Sequence, residues 1–156
     1  MEKAVRDLLF QARRPLDLDT LVLAGVIGVA RQANRSPLIR GLSEARFQKL
    51  LNEYFLGVIL MNNDPGGARN EGDPFTGVVE LLLENRTRPC EPSAWLAYAV
   101  ASAVMGDNDL WQDAGLPSPQ HLSEFMRSRF APLAALNADG TDWKGFLLAI
   151  ARQPAE

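Results

Sequence analysis

Apolar residues recur along this chain at the three- and four-residue intervals of amphipathic helices, and Pro, Gly, Asn and Asp gather where that rhythm stops. Val5, Leu8, Leu9 and Ala12 form the first stripe, and Pro15 ends it. Residues 21–30, LVLAGVIGVA, are apolar on every side, as expected of a helix at the centre of a core. Asp17, Asp19 or Thr20 is placed to cap that helix. Ser36-Pro37 marks the next break, and Ser43 caps a third helix striped by Phe47, Leu50, Leu51, Tyr54 and Phe55. Residues 62–74, NNDPGGARNEGDP, have no apolar period and read as a loop. Its last two residues, Asp73-Pro74, are a cap followed by a first-turn proline, and Val78, Leu81 and Leu82 continue as a fourth helix.

Pro89, Pro92 and Ser93 punctuate the chain before a nearly all-apolar helix over residues 94–105. An acidic connection, residues 106–113, leads to Ser118-Pro119, a second cap-plus-proline pair. Leu122, Phe125, Met126, Phe130 and Leu133 stripe one long helix, residues 137–141 turn the chain, and Trp143, Phe146, Leu147 and Ile150 form the buried face of the last helix. No segment sustains the period-two alternation of a strand. The pattern predicts an all-α fold: one domain over residues 1–156, an irregular bundle of about seven helices.

Composition supports a folded domain. Hydrophobic residues make up 47% and charged residues 22% of 156 positions. The single cysteine, Cys90, forbids an internal disulfide and points to a reducing cytoplasm. The net charge of −3 argues against nucleic acid as the main partner. The ten-residue apolar run at 21–30 is too short to span a bilayer, and the two acids within residues 1–10 argue against a secretory leader. Charge is uneven: residues 1–60 carry nine Lys/Arg against six Asp/Glu, and residues 61–156 carry seven against thirteen. Two faces of one solvated surface explain this, as does an acidic docking face for a basic partner.

Most catalytic constellations are excluded. The Gly66-Gly67 pair is not followed by the Lys-Ser/Thr of a phosphate loop, and His121 is the only histidine. His121 lies in the first turn of a helix, and nothing near it in sequence looks like a nucleophile with an oxyanion site, so no enzymatic role is expected. Cys90, between Pro89 and Glu91, reads as a bystander thiol in a loop, with a reactive or metal-ligating thiol as the alternative, although one cysteine cannot hold a cluster. Asp64, Glu71 and Asp73, and Asp107, Asp109 and Asp113, read as caps and solvated acids rather than calcium ligands, because neither group has the EF-hand spacing. Trp111 stands apart, a large ring in a short acidic connection where it would be only half covered.

One stretch goes beyond composition. Residues 108–116, NDLWQDAGL, resemble the NHLWQDLGL signature of the NifQ family of nitrogen-fixation proteins. The likeness continues in order. Leu122, Met126 and Phe130 resemble a helix ending RHFP, Leu133-Ala134 and Asn137 resemble LAxxN, and Trp143-Lys144-Gly145-Phe146 resembles WKKF. Upstream, residues 41–55 and 81–97 are similar more weakly, so the likeness covers about residues 40–148.

The resemblance implies a protein that carries molybdenum, as a molybdenum–iron–sulfur cluster, toward assembly of the nitrogenase cofactor. It places the cluster on a C-x4-C-x2-C-x5-C motif after the WKxF helix, where soft thiolates suit such a metal. The sequence has no cysteine there, and it carries Asp109 and Arg129 where the family has histidines. The expectation is therefore a cluster-free relative, with no cofactor of its own, acting as a binding or adaptor protein for cofactor-assembly proteins. Two alternatives stay open: a true cluster carrier truncated before its cysteine tail, or a small ligand-binding protein or enzyme whose pocket gathers Asp109, His121 and Arg129. The candidate partner- or ligand-binding residues are Asp109, Trp111, Asp113, His121 and Arg129, with no catalytic or metal-ligating residue expected.

Overall fold

The computed structural model describes residues 3–14, 17–35, 37–62, 75–106, 109–137 and 142–151. Among them the helices are α1 (Lys3–Phe10), α2 (Leu18–Gln32), α3 (Glu44–Tyr54), α4 (Phe75–Glu84), α5 (Glu91–Val104), α6 (Leu110–Asp113), α7 (Pro119–Arg129), α8 (Ala131–Leu136) and α9 (Trp143–Ala151). No strand occurs among the described residues, only an isolated bridge between Ala12 and Phe55. The all-α expectation holds. Residues 63–74, including Asp64, Glu71 and the Asp73-Pro74 cap, lie outside the described residues, as do Pro15, Ser36, Asp107 and residues 138–141.

Nine described helices replace the expected seven, and both additions have a local cause. The acidic connection closes into the single turn α6, where the Asp109 N–H donates to Gln112 Oε1 at 3.2 Å. The long helix expected over residues 119–133 divides into α7 and α8 at Phe130 (φ −135°, ψ 52°), because Pro132 has no N–H to continue the ladder. Thr87 takes up the backbone groups released by the break. Its N–H donates to the Arg129 carbonyl at 2.9 Å, and its hydroxyl accepts from the Ala131 N–H at 3.1 Å.

Helix α2 is the axis of the core. Val22, Leu23, Ala24 and Ile27 are fully buried within it, and it packs against α1, α5, α6 and α7. Two glycines set how closely these neighbours approach. A Cβ on Gly25 would lie 1.7 Å from the Ala114 carbonyl oxygen, and one on Gly28 would lie 2.8 Å from the Val5 backbone. Gly115 reciprocates, with φ +67° and its own missing Cβ facing the Gly25 backbone. The turn after α6 therefore rests directly on the α2 backbone. On the far side α5 packs against α4, and α9 closes over α4 with Trp143 and Leu147 buried. Phe146 and Ile150, expected in the same buried face, are only half-covered.

Ser43 caps α3 as expected, accepting from the Arg46 N–H at 3.3 Å. Asn62, which the sequence assigns to a loop, is fully buried. Its amide nitrogen donates to the Ile39 and Leu42 carbonyls at 2.8 and 2.7 Å, and its Oδ1 accepts from the Ile39 N–H at 2.7 Å, which fixes the segment before α3.

The backbone contact at Gly25 leaves no space that a side-chain rotation could open. Gly25→Ala should therefore cost about 3 kcal/mol, at the upper end of overpacking penalties. A urea midpoint unchanged from the parent would show that α2 and the turn at residues 114–115 can separate freely.

Candidate functional site

The residues that resemble the family's most specific motifs come together around one groove. Asp109, Leu110 and Trp111 of the α6 turn form one wall, and Trp143 and Lys144 at the start of α9 form another. Helix α7 supplies the floor through Gln120, Ser123, Glu124 and Arg127, which recur every three or four residues. The groove has a volume of about 850 Å³. Trp143 anchors it, its indole N–H donating to Ser123 Oγ at 3.2 Å while its ring meets Phe146 edge-on at 5.6 Å. Lys144 Nζ donates to the Gly106 carbonyl at 2.5 Å and so ties α9 to the end of α5. Trp111 is half-buried on the rim. Carboxylates of Asp109, Glu124 and Asp142 share the lining with the cations of Arg127 and Lys144, which gives the groove a mixed charge.

The five candidate residues do not form one site. Asp109 and Trp111 line the groove. Asp113 is 3% exposed, seated against Gly106 so closely that a Cβ there would lie 2.3 Å from its Oδ2. It ties α6 to the end of α5 and lines not the groove but a smaller cavity of about 190 Å³. His121 makes a local contact, Nδ1 to Ser118 Oγ at 2.6 Å, and lines neither the groove nor the cavity described next. Arg129 faces a second cavity, so the pocket expected to gather Asp109, His121 and Arg129 is not formed among the described residues.

That second cavity, about 570 Å³, opens between α2, the end of α3 and the start of α5. Arg129, in the last turn of α7, holds Asp19, in the first turn of α2, through Nε to Oδ1 at 2.8 Å and Nη2 to Oδ2 at 2.5 Å. The Asp19 carboxylate thereby holds the guanidinium firmly charged. Tyr54 lies alongside, and burial, reinforced by Asp19, pushes its phenol up to about 12, so its hydroxyl stays protonated. Cys90, read from the sequence as a loop thiol, stands at the N-cap of α5 and is exposed. Hydrogen bonds from the Ser93 backbone and hydroxyl hold its thiol below the ordinary cysteine value, with Arg129 and Arg86 adding to the effect. The signal for this was present in the sequence. In CEPS, residues 90–93, a proline sits within the first helical turn and a serine three places after the cysteine, the spacing of a reciprocal cap.

No group of three His, Cys, Asp or Glu side chains placed to hold a metal occurs among the described residues. Cys90 and His121 line no common cavity, so the described residues do not offer the soft donor set that a molybdenum–iron–sulfur cluster needs. No described helix is long and apolar enough to cross a membrane.

A family model described as NifQ matches residues 22–151. The chain is 36% identical to Protein NifQ of Rhodobacter capsulatus over 107 residues, which is 68% of this chain and 58% of that protein. It is also 36% identical to Protein NifQ of Azotobacter vinelandii over 66 residues, 42% of this chain and 34% of that protein. The matches thus cover a little over half of one relative and a third of the other. No solved structure matches.

The Cys90 environment makes its thiolate the favoured form at a lower pH than in an unfolded chain. Because the sequence holds one cysteine, its iodoacetamide alkylation can be followed alone. The pH midpoint of the rate should lie below that of the urea-unfolded protein, and Ser93→Ala should move it upward. Coincident folded and unfolded profiles would contradict the account.

Proposed function

This chain belongs to the NifQ family, and we propose that it serves nitrogen fixation by handling molybdenum for the nitrogenase cofactor, as a binding protein of the cytoplasm and not as an enzyme. Its action rests on contact with another protein at the groove between α6, α7 and α9. The observation that carries this reading is one of assembly. Asp109, Leu110 and Trp111 belong to one family-like motif and Trp143 and Lys144 to another, yet the fold brings both to the walls of a single open groove. A half-covered tryptophan beside mixed charges is the composition of a protein-binding hot spot rather than of a closed small-molecule pocket.

Molybdenum is cargo in this reading. A cluster-free adaptor and a carrier whose thiolates lie on further chain would both use the groove, because either must be recognised by the protein that receives the metal.

Trp111→Ala tests the reading. The ring is half-exposed, so the fold should survive, as judged by an unchanged far-ultraviolet circular dichroism spectrum. Capture of cofactor-assembly proteins from extracts of nitrogen-fixing cells should weaken by about thirty-fold, the equivalent of one hot-spot residue. Asp109→Ala should weaken it less. Undiminished capture by the folded Trp111→Ala protein would remove the groove from the interaction.

A further inference from the structure

The second cavity lies on another part of the molecule and plays no part in the reading above. Four guanidinium groups, those of Arg13, Arg14, Arg88 and Arg129, face three carboxylates there. Asp19 is already held by Arg129 through two contacts. Arg13 donates from its Nε to the Asn52 carbonyl at 3.0 Å. Arg14 and Arg88 are exposed and line the cavity together with Asp17 and Glu53. The start of α5, a helix of 14 residues, lines the cavity through Cys90, Pro92 and Ser93, so the positive end of its dipole is directed there.

An independent observation lies at the base. Thr20 lines the cavity with 0% exposure, and its Oγ1 has no hydrogen-bond partner. A buried hydroxyl without a partner is unfavourable, and such groups in folded proteins are normally satisfied. Thr20, Asp19 and Arg129 line the same cavity. Tyr54, protonated over the whole physiological range, adds a second hydroxyl to the lining.

We propose that this cavity binds a small tetrahedral oxyanion of the sulfate, phosphate or molybdate class, held by Arg14 and Arg88 at the mouth and the Thr20 hydroxyl at the base, with the positive end of the α5 dipole at its side. Donors converge from different elements and directions, which suits a tetrahedral acceptor better than a planar carboxylate. A bound dianion would sit beside Cys90, oppose its ionisation and cover it. The one cysteine of the chain is therefore a built-in reporter of occupancy.

The test titrates the full chain at low ionic strength with sulfate, phosphate and molybdate in turn, with chloride at matched ionic strength as the control. The readouts are Cys90 alkylation and equilibrium dialysis of radiolabelled anion. At least one oxyanion should saturate a single site and slow alkylation several-fold where chloride does not. Arg14→Ala combined with Arg88→Ala, both at exposed positions, should weaken that binding by about tenfold or more. Thr20→Val, which keeps the shape of the base, should weaken it by a smaller factor. Preference for molybdate would join the site to the metal, and preference for phosphate or sulfate would make it a separate anion site. The proposal is overturned if none of the three saturates, if chloride protects Cys90 equally, or if the folded double arginine variant binds as tightly as the parent.

Discussion

Everything in this fold depends on how closely other backbones approach α2. Gly25 meets the Ala114 carbonyl and the Gly115 backbone, and Gly28, about one turn further along the same helix, meets the backbone of Val5. Direct backbone contact brings α1 and the turn after α6 in without an intervening layer of side chains. The remaining surface of α2, with Val22, Leu23, Val26 and Ile27, is left to bury α5 and α7. Because Gly115 lies two residues after Asp113, the same contact fixes the position of α6, and α6 carries the Asp109–Trp111 wall of the groove. The candidate partner site is thus positioned by a steric constraint on the opposite side of the chain turn.

What could be read from the sequence follows from how local each cause is. The apolar runs of α2 and α5, the apolar period of α7 and the serine before α3 act within a few residues, so pattern and capping suffice to place them. The division at Phe130 is also local, since Pro132 announces it, but a continuous apolar stripe through Leu133 masks the break. Asn62 could not be read. Its three bonds to Ile39 and Leu42 join positions some twenty residues apart, and an asparagine beside Asp, Pro and Gly has the composition of a loop wherever its amide points. The same limit applied to the candidate residues. Their closeness along the chain suggested one site, but a helix turns about 100° per residue, and α7 sends neighbours to different faces.

That division of α7 explains the arrangement of both cavities. Gln120, Ser123, Glu124 and Arg127 form one stripe and line the groove. Leu122, Phe125 and Met126 form the other, buried against the core, and Arg129 falls next on that same buried stripe. A charged residue at the end of a core stripe needs a partner, and Asp19 is that partner, 110 positions away. Arg129 and the groove residues therefore serve different regions even though they share one helix of 11 residues.

The Arg129–Asp19 pair also carries an electrostatic logic that a histidine at this position would not reproduce. Asp19 sits in the first turn of α2 and Arg129 in the last turn of α7, so each charge has the sign that its own helix end favours, before any attraction between them. Their contact joins the start of one core helix to the end of another at the edge of a solvent-open cavity. The guanidinium makes that link through two nitrogens in one plane, which sets orientation as well as distance. A neutral imidazole offers one donor and would leave the second Asp19 oxygen to the cavity, adding negative charge where arginines now prevail. In this chain the Arg129 guanidinium thus keeps its charge at the wall of the second cavity across the physiological pH range.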